Sequence, residues 1–328
     1  MQHYSDISKN LETSIEAYRT KIAGLTPHEL YDPLHYILSS GGKRIRPLLC
    51  LVGCDLFNKP YTKAIPAALA IELFHNFSLI HDDILDNAPL RRGKPTVHEK
   101  WNTNIAILSG DGMLVNAFEQ LALAEKEHVK DLLALFSKTA MEVCEGQQFD
   151  MNFESQSQVS VDDYLAMITG KTAVLLGCSL QMGAICAGAS KEEQNHLYEF
   201  GKHVGIAFQV LDDVLDVYAK DAGKFGKQVG GDIIANKKTW LLLEAFEKAD
   251  GKQKERLKAL LNMPATQATE KVNGVMALYD ELGIRELALK EADSHTQNAL
   301  QHLDLLEVDA EKKNHLRQLA LHLLAREV

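Results

Sequence analysis

The chain has 328 residues, of which 46% are apolar, and its formal net charge is −10. This apolar content can build a sizeable core and excludes a disordered chain, and the acidic balance excludes a nucleic-acid-binding protein, whose surface is normally basic. The five cysteines form no Cys-x-x-Cys pair, which indicates reduced thiols in a cytoplasmic protein. No signal peptide is expected at the N-terminus. The apolar stretch 173–189 is broken by Ser179 and Gln181 and predicts a buried helix, so no transmembrane segment is expected.

Helical periodicity along the chain predicts an all-α fold with hardly any strand. Between Ala64 and Asp86, apolar residues recur every three or four positions, and Pro66 stands near the start, where proline is tolerated. The stretch Leu300–Arg326 predicts another amphipathic helix. Loops are predicted at 39–42, 88–95, 152–160 and 221–231. No low-complexity linker divides the chain, so a single domain is predicted over residues 1–328.

Two similar acidic motifs, HDDILD at 81–86 and LDDVLD at 211–216, are the first chemical signal. Helical spacing predicts that the three carboxylates of each motif share one face, where their repulsion destabilises the helix unless cations lie between them. One such motif alone is usually a solvated acidic surface. Two copies, each among apolar residues, favour metal binding, because buried charges need partners, and carboxylate oxygens suit Mg²⁺. The predicted metal ligands are Asp82, Asp83, Asp86, Asp212, Asp213 and Asp216.

Five basic segments accompany these motifs: GGKRIRP at 41–47, RRGKP at 91–95, GKT at 170–172, GK at 226–227 and NKKT at 236–239. Arginine offers a forked donor set suited to phosphate, and the N–H groups at helix starts add to it. Each segment alone predicts only a solvated surface charge, and Gln228 excludes a P-loop at 226–227. Together with the acidic motifs, the five segments predict two diphosphate-binding regions.

Further informative segments are ELFHNFSLIHDDILDNAPLRRGKPTVH, GQQFD, GKTA, FQVLDDVLD and GKQVGGD. Together with the basic segments, they follow one another in the order found in trans-isoprenyl diphosphate synthases, the short-chain polyprenyl synthases. The sequence resembles this family from residue 41 to residue 239. The resemblance implies a single-domain helical bundle around a central cavity, a homodimer, and three Mg²⁺ ions in each active site. It also implies head-to-tail condensation of isopentenyl diphosphate with an allylic diphosphate (dimethylallyl, geranyl or farnesyl).

The resemblance further assigns roles to individual residues. The first motif and Asp212 would hold the metals, while Asp213 and Asp216 would act partly through water or by supporting the fold. The allylic diphosphate would be bound by Arg91, Lys171, Lys227 and Lys237. Isopentenyl diphosphate would be bound by Lys43, Arg46, His75 and Arg92. Beside Lys171, the residues Thr172 and Gln209 would face the developing allylic cation during catalysis.

Product length is expected to depend on the helix that carries the first motif. Phe77 lies five residues before Asp82, about 7.5 Å along a helix axis, and the small Ser78 follows it. In the family, this arrangement resembles enzymes that stop near twenty carbons. Phe74 shares the helical face of Ser78 and Asp82 better than Phe77 does, so either ring could end the tunnel, or both could be core aromatics. Geranylgeranyl diphosphate is the expected main product, followed by farnesyl diphosphate.

Three other interpretations compete with a synthase. A class I terpene cyclase also uses a D-D-x-x-D motif and Mg²⁺, but it would normally carry an Asn/Ser/Glu metal motif instead of the second aspartate motif, and it would not need the basic segment at 41–47. A non-catalytic subunit of a heteromeric prenyl synthase would be expected to lack one motif, whereas both are intact here. A helical scaffold protein would leave the clustered aspartates and arginines unexplained.

Overall fold

The computed structural model describes residues 4–219 and 230–325, and helices dominate it, which confirms the all-α prediction. A two-stranded ribbon, β1 (Leu90–Arg91) and β2 (Lys94–Pro95), is the only sheet among the described residues. The helices are α1 (Ser5–Ile22), α2 (His28–Ser39), α3 (Ile45–Asp55), α4 (Ile65–Leu85), α5 (Val97–Lys100), α6 (Thr103–Ala122), α7 (Lys126–Ser155), α8 (Val161–Ile168), α9 (Val174–Cys186), α10 (Lys191–Tyr218), α11 (Gly231–Ile234), α12 (Trp240–Lys248), α13 (Gly251–Leu261), α14 (Ala268–Leu282), α15 (Ile284–Asp304) and α16 (Ala310–Leu324).

The chain divides into two compact units, and the single-domain prediction stays a prediction. The first unit comprises residues 1–140, 178–198 and 307–313. Its central element is α4, which follows a short 3₁₀ turn at Tyr61–Ala64 and has Pro66 in its first turn, as the sequence predicted. The side chains of α4 from Ala67 to Phe74 are buried, and α6 packs along this helix. Because α4 is buried over most of its length, the aspartate motif at its C-terminal end is anchored to the core of the first unit.

The second unit comprises residues 141–177, 199–306 and 314–328. Its core joins side chains of α8, α10, α12, α14 and α15, among them the fully buried Val210, Leu241 and Leu278. Ser160 and Asp163 form a reciprocal capping box at the start of α8, which satisfies N–H groups that a helix start leaves without partners. The second aspartate motif lies near the C-terminal end of α10, among the apolar residues of this core.

Three predictions of local structure were wrong. The stretch Leu300–Arg326 is not one helix, because α15 ends at Asp304 and α16 begins at Ala310. The Asp309 carboxylate accepts hydrogen bonds from the N–H groups of Glu311 and Lys312 and so starts a new helix. The predicted loop 88–95 contains the β-ribbon, in which Leu90 pairs with Pro95 and Arg91 with Lys94. Helix α7 also continues to Ser155, inside the loop predicted at 152–160.

Two helical segments, Tyr61–Leu85 and Val161–Cys186, are long and apolar enough to cross a membrane by length and composition. In each of them, 61% of the apolar stretch is buried inside the structure. Core helices of water-soluble proteins have the same length and composition, so these segments are a weak indication of a membrane span. The absence of a transmembrane segment stays a prediction.

Candidate active site

The first aspartate motif ends helix α4, and its three carboxylates differ in their surroundings. Asp83 is 1% exposed, and Arg91 holds it in a fork, with Nε 2.8 and 2.9 Å from the two carboxylate oxygens and Nη2 2.7 Å from Oδ1. Asp82 is half-buried and Asp86 is exposed. The outward carboxylates of this motif are therefore those of Asp82 and Asp86, while Asp83 is neutralised by the arginine of the β-ribbon.

The second motif on α10 repeats this arrangement. Asp213 is 3% exposed, and its Oδ2 accepts hydrogen bonds from the Tyr164 hydroxyl at 2.5 Å and from the Trp240 backbone N–H at 3.1 Å. Burial raises the pKa of Asp213 to about 7, although the hydrogen bond from Tyr164 opposes this shift. Asp212 and Asp216 are half-buried, and Asp216 accepts a hydrogen bond from the Asp232 N–H at 3.0 Å.

In both motifs, then, the second aspartate is buried in its own unit, and the first and third are half-buried or exposed. Residues one apart on a helix differ by about 100° in direction, whereas residues four apart nearly coincide. The expectation that all three carboxylates share one face was therefore wrong in detail. The half-buried or exposed pairs, Asp82 with Asp86 and Asp212 with Asp216, are hard oxygen donors one helical turn apart, and this donor set fits Mg²⁺. The assignment of all six aspartates as metal ligands stays a prediction.

Three of the four residues predicted to bind isopentenyl diphosphate lie together in the first unit. Arg46 Nη1 is 3.3 Å from His75 Nε2, and Arg92, at the turn of the β-ribbon, donates to the Gly41 carbonyl. Burial, together with the charges of Arg46 and Arg92, holds the pKa of His75 well below its usual range, so this imidazole is neutral at pH 7. Burial also lowers the pKa of Arg46 to about 10. Lys43 is exposed on the same loop.

Glycine at position 42 lets Arg92 approach this loop. Gly42 has φ +138°, a conformation that side-chain-bearing residues rarely adopt, and a Cβ built on it would lie 3.0 Å from the guanidinium carbon of Arg92. Arg92 itself has φ +53° in the ribbon turn. The GGKRIRP segment and the RRGKP segment therefore meet, as their common assignment to one substrate requires.

Arg44, which the sequence places among the cations of this loop, has a different role. It is 9% exposed and donates to the Glu72 carboxylate and to the Leu38 carbonyl. Glu72 is 2% exposed and also accepts a hydrogen bond from the Asn76 amide at 2.7 Å. This buried network attaches the loop to α4, and sequence analysis missed it because neither Glu72 nor Asn76 differs in type from an ordinary helix residue.

Lys171 and Thr172 lie on a π-helical turn, Thr169–Ala173, between α8 and α9. Such turns contain one extra residue and are frequent at functional sites. A Cβ built on Gly146 of α7 would lie 2.1 Å from the backbone nitrogen of Lys171, so only glycine allows this crossing. The Lys171 ammonium forms an ion pair with Asp150 at 2.5 Å. The GQQFD segment therefore holds Lys171 in place through Gly146 and Asp150.

Two of the remaining predicted residues of the second unit, Gln209 and Lys237, act on Asp213. The Gln209 side-chain nitrogen is 3.4 Å from Asp213 Oδ1, and the charge of Lys237 acts on the pKa of the same carboxyl group. Thr172 is half-buried and Lys237 is exposed. Lys227 lies outside the described residues. Tyr164 and Trp240 were missed, because an aromatic residue at helical spacing predicts core packing and nothing in the sequence links them to Asp213.

The residues predicted to set product length form part of an aromatic row on α4. Phe74 is 1% exposed and lies between Phe77 and Phe136, with ring centroids 5.6 and 5.3 Å apart. Phe77 is half-buried and contacts the His81 ring at 4.6 Å. The Ser78 hydroxyl donates to the His75 carbonyl. Phe74 is therefore a core residue of the first unit, and Phe77 lies closer to its surface.

Comparisons with known proteins agree with this chemistry. The sequence matches the polyprenyl synthetase family over residues 27–279. It is 36% identical to a geranylgeranyl diphosphate synthase of Methanosarcina mazei over 98% of each chain, and 37% identical to a short chain isoprenyl diphosphate synthase of Methanothermobacter thermautotrophicus, also over 98% of each. The structure resembles a geranylgeranyl pyrophosphate synthetase of Pyrococcus horikoshii with a TM-score of 0.91 and 37% identity, covering 99% of this chain and 98% of that one.

A family match over most of the chain, together with relatives of this identity and coverage, decides between the competing interpretations. The second aspartate motif and the GGKRIRP loop are features that the resemblance predicted for a synthase, and a cyclase or a scaffold does not require them. The chain belongs to the polyprenyl synthetase family and is a trans-isoprenyl diphosphate synthase, a prenyltransferase with an all-α fold.

Proposed function

We propose that the protein joins isopentenyl diphosphate head to tail to an allylic diphosphate, and that geranylgeranyl diphosphate is its main product, with farnesyl diphosphate second. The observation that carries this proposal is the donor set described above, in which outward aspartates and clustered arginines and lysines recur in the order of the family. The names of the relatives from Methanosarcina mazei and Pyrococcus horikoshii support the twenty-carbon product.

In this proposal the outward carboxylates of each aspartate motif would hold Mg²⁺, and the family resemblance implies three ions for each active site. The metal would supply electrostatic stabilisation of the charge that builds on the diphosphate as it leaves. Asp83 and Asp213 are buried and are bound by hydrogen-bond donors. They hold their helices in place and so orient the outward carboxylates of the same motif. We propose this supporting role for both residues, and their direct binding of a metal stays a prediction.

Fixed cations of the chain bind the allylic diphosphate: Arg91, Lys171, Lys237 and Lys227. Arg91 and Lys171 are each held by a carboxylate, Asp83 and Asp150 respectively. Because their positions are set before substrate binds, little ordering is needed when the diphosphate arrives. Lys171 is the residue of this group assigned to catalysis.

Isopentenyl diphosphate is bound by Lys43, Arg46, His75 and Arg92. A neutral His75 donates one N–H to a phosphate oxygen without adding charge, and the two arginines provide forked donors. The C=C bond of isopentenyl diphosphate then attacks the allylic carbon, and the departing diphosphate accepts the proton that is lost.

Two polar side chains are assigned to the allylic cation. The Gln209 amide nitrogen faces Asp213, so the partly negative amide oxygen points away from that carboxylate and is available to the cation. Thr172 offers its hydroxyl oxygen from the π-helical turn. Partial negative charge stabilises the cation without bonding to it, whereas a full carboxylate beside it would capture it.

We propose a homodimer that acts in the cytoplasm. Helix α6 exposes Leu108 and Val115 by 60% and 67%, on one helical face with the partly exposed Phe118, and such an apolar face is typical of a protein interface. The five cysteines form no disulfide, which fits a reducing compartment.

The test is product analysis of the purified protein with isopentenyl diphosphate and dimethylallyl, geranyl or farnesyl diphosphate, with Mg²⁺ or with EDTA. We expect geranylgeranyl diphosphate from each primer, and only with Mg²⁺. Equal product formation in EDTA would contradict the metal mechanism, and a main product of another length would contradict the proposed specificity.

A further inference from the structure

A second group of metal-binding side chains lies in the second unit, between α10 and α15. Glu199 and His203 are one turn apart on α10, and His295 and His302 are two turns apart on α15, so each pair occupies one helical face. All four side chains are half-buried. One ligand atom from each of Glu199, His203 and His302 lies within 4.8 Å of the other two.

These three residues match the requirements of a borderline divalent metal. Zn²⁺ is bound by imidazole nitrogen and carboxylate oxygen at about 2.0–2.2 Å, with ligand atoms ~3.3 Å apart at a tetrahedral angle, and two histidines with one carboxylate are an established set. A bound metal would therefore have to draw these ligand atoms closer together than the 4.8 Å within which they now lie. Imidazole ligands favour Zn²⁺ and its neighbours over Mg²⁺, so the cluster differs in chemistry from the aspartate motifs.

The other two residues of the cluster orient His203. Its Nδ1 is 2.8 Å from His295 Nδ1, and His295 Nε2 is 3.3 Å from Glu291 Oε1. Two ring nitrogens at this distance share one proton. If His295 donates its Nε2–H to Glu291, its Nδ1 accepts the proton of His203 Nδ1, and the lone pair of His203 Nε2 is left for a ligand. Metal-binding histidines commonly donate their second N–H in this way.

We propose that Glu199, His203 and His302 form a binding site for a divalent transition metal of the zinc type, with His295 and Glu291 as positioning residues. The metal would connect α10, the helix that carries the second aspartate motif, to α15. Since it binds the folded chain, it would raise thermal stability with the logarithm of its free concentration once this exceeds the dissociation constant.

One contact competes with metal binding, and removing it should make the metal bind more tightly. The Lys202 ammonium lies 2.5 Å from Glu199 Oε2, the same oxygen that is 4.0 Å from His203 Nε2. A metal ion has to displace or share this contact. Replacing Lys202 by methionine should therefore strengthen metal binding, an effect that damage to the fold would not produce.

The experiment uses the full-length protein, stripped with EDTA and kept in excess Mg²⁺ so that the aspartate motifs are occupied. Zn²⁺ is titrated against a chromophoric chelator, and the visible absorption of bound Co²⁺ reports imidazole coordination. The matched control is His196→Ala, since His196 Nε2 also lies 4.0 Å from a glutamate one turn away, Glu192, and belongs to neither potential metal cluster found among the described residues.

We expect one Zn²⁺ per chain, and a rise in the thermal midpoint with Zn²⁺. His203→Ala and His302→Ala should weaken binding by more than about 100-fold and Glu291→Gln by about 10- to 100-fold, while His196→Ala leaves it unchanged and Lys202→Met strengthens it. The proposal is overturned if the wild type binds no Zn²⁺ in the presence of Mg²⁺, or if His203→Ala and His196→Ala retain the same Zn²⁺ affinity.

Discussion

Asp83 and Asp213 occupy the same position in the two aspartate motifs, and both are buried with donors bound to their carboxylates. Asp83 has the arginine fork of Arg91, and Asp213 has Tyr164 and a backbone N–H. The middle aspartate of each motif therefore belongs to the packing of its unit. The first and last aspartates of each motif are half-buried or exposed, and they are the carboxylates that we propose to bind metal.

This difference predicts opposite phenotypes for neighbouring aspartates. Asp82→Asn should lower kcat on the order of 100-fold or more and should cost less unfolding free energy than Asp83→Asn, because Asp82 is half-buried and Asp83 is buried. Asp83→Asn should lower the free energy of unfolding by about 1–3 kcal/mol, because it leaves Arg91 without its charge partner. Urea denaturation and steady-state kinetics on both variants check this. A stable, inactive Asp83→Asn beside a destabilised Asp82→Asn would contradict it.

Substitutions of the two phenylalanines of α4 should have different effects on product length and on stability. Phe77→Ala should extend the product beyond twenty carbons at a small loss of stability, because Phe77 is half-buried. Phe74→Ala should cost about 3–5 kcal/mol of unfolding free energy and leave product length unchanged, since Phe74 is packed against Phe136. Chromatography of the dephosphorylated products reports chain length. Longer products from Phe74→Ala alone would assign the end of the tunnel to that residue instead.

His75 should make the stability of the protein dependent on pH. Its pKa is held well below the usual value in the folded state and is about 6.5 in the unfolded chain. As pH falls through 6.5, the unfolded state takes up a proton that the folded state does not, so the free energy of unfolding decreases by up to ~1.4 kcal/mol per pH unit.

The measurement for His75 is the urea midpoint between pH 5 and pH 8, without diphosphates, for the wild type and His75→Gln. The variant should lose less stability in acid than the wild type. Because all other histidines are common to both proteins, the difference between the curves isolates His75. Parallel curves would show that the imidazole is protonated equally in both states.

The apolar face of α6 predicts where dimerisation can be broken. Leu108→Asp combined with Val115→Asp should yield a monomer by light scattering after size-exclusion chromatography, because two charges would enter a dry interface. Leu305→Asp is the control, since Leu305 is 61% exposed, like Leu108, but lies in the second unit. A double variant that remains dimeric would assign the interface to another surface.

The sequence was sufficient for the fold class and for the motifs, because helical periodicity and residue type are local properties. It predicted α4 within one residue at each end, from its apolar spacing and Pro66. It did not predict the break between Asp304 and Ala310, because leucine spacing continues across it and the capping by Asp309 depends on only a few atoms.

The sequence predicted which residues belong to the site, but it did not predict which of them contact one another. The meeting of Arg92 with the Gly41–Gly42 turn is a contact between segments about fifty residues apart, and no spacing rule reports it. The same holds for Tyr164 beside Asp213 and for Asp150 beside Lys171. These contacts join residues that are distant in sequence, so helical periodicity and residue type, which are local properties, do not predict them.

The cysteines have a practical consequence for labelling. Cys50, Cys54, Cys178 and Cys186 are buried, and burial raises the pKa of the Cys54 thiol to about 11 and of the Cys186 thiol to about 12, whereas Cys144 on α7 is exposed. Thiol reagents react with the thiolate and need access to it. A maleimide dye added to the native enzyme should therefore attach at one position, which provides a fluorescent reporter for assembly and ligand binding without any engineered residue.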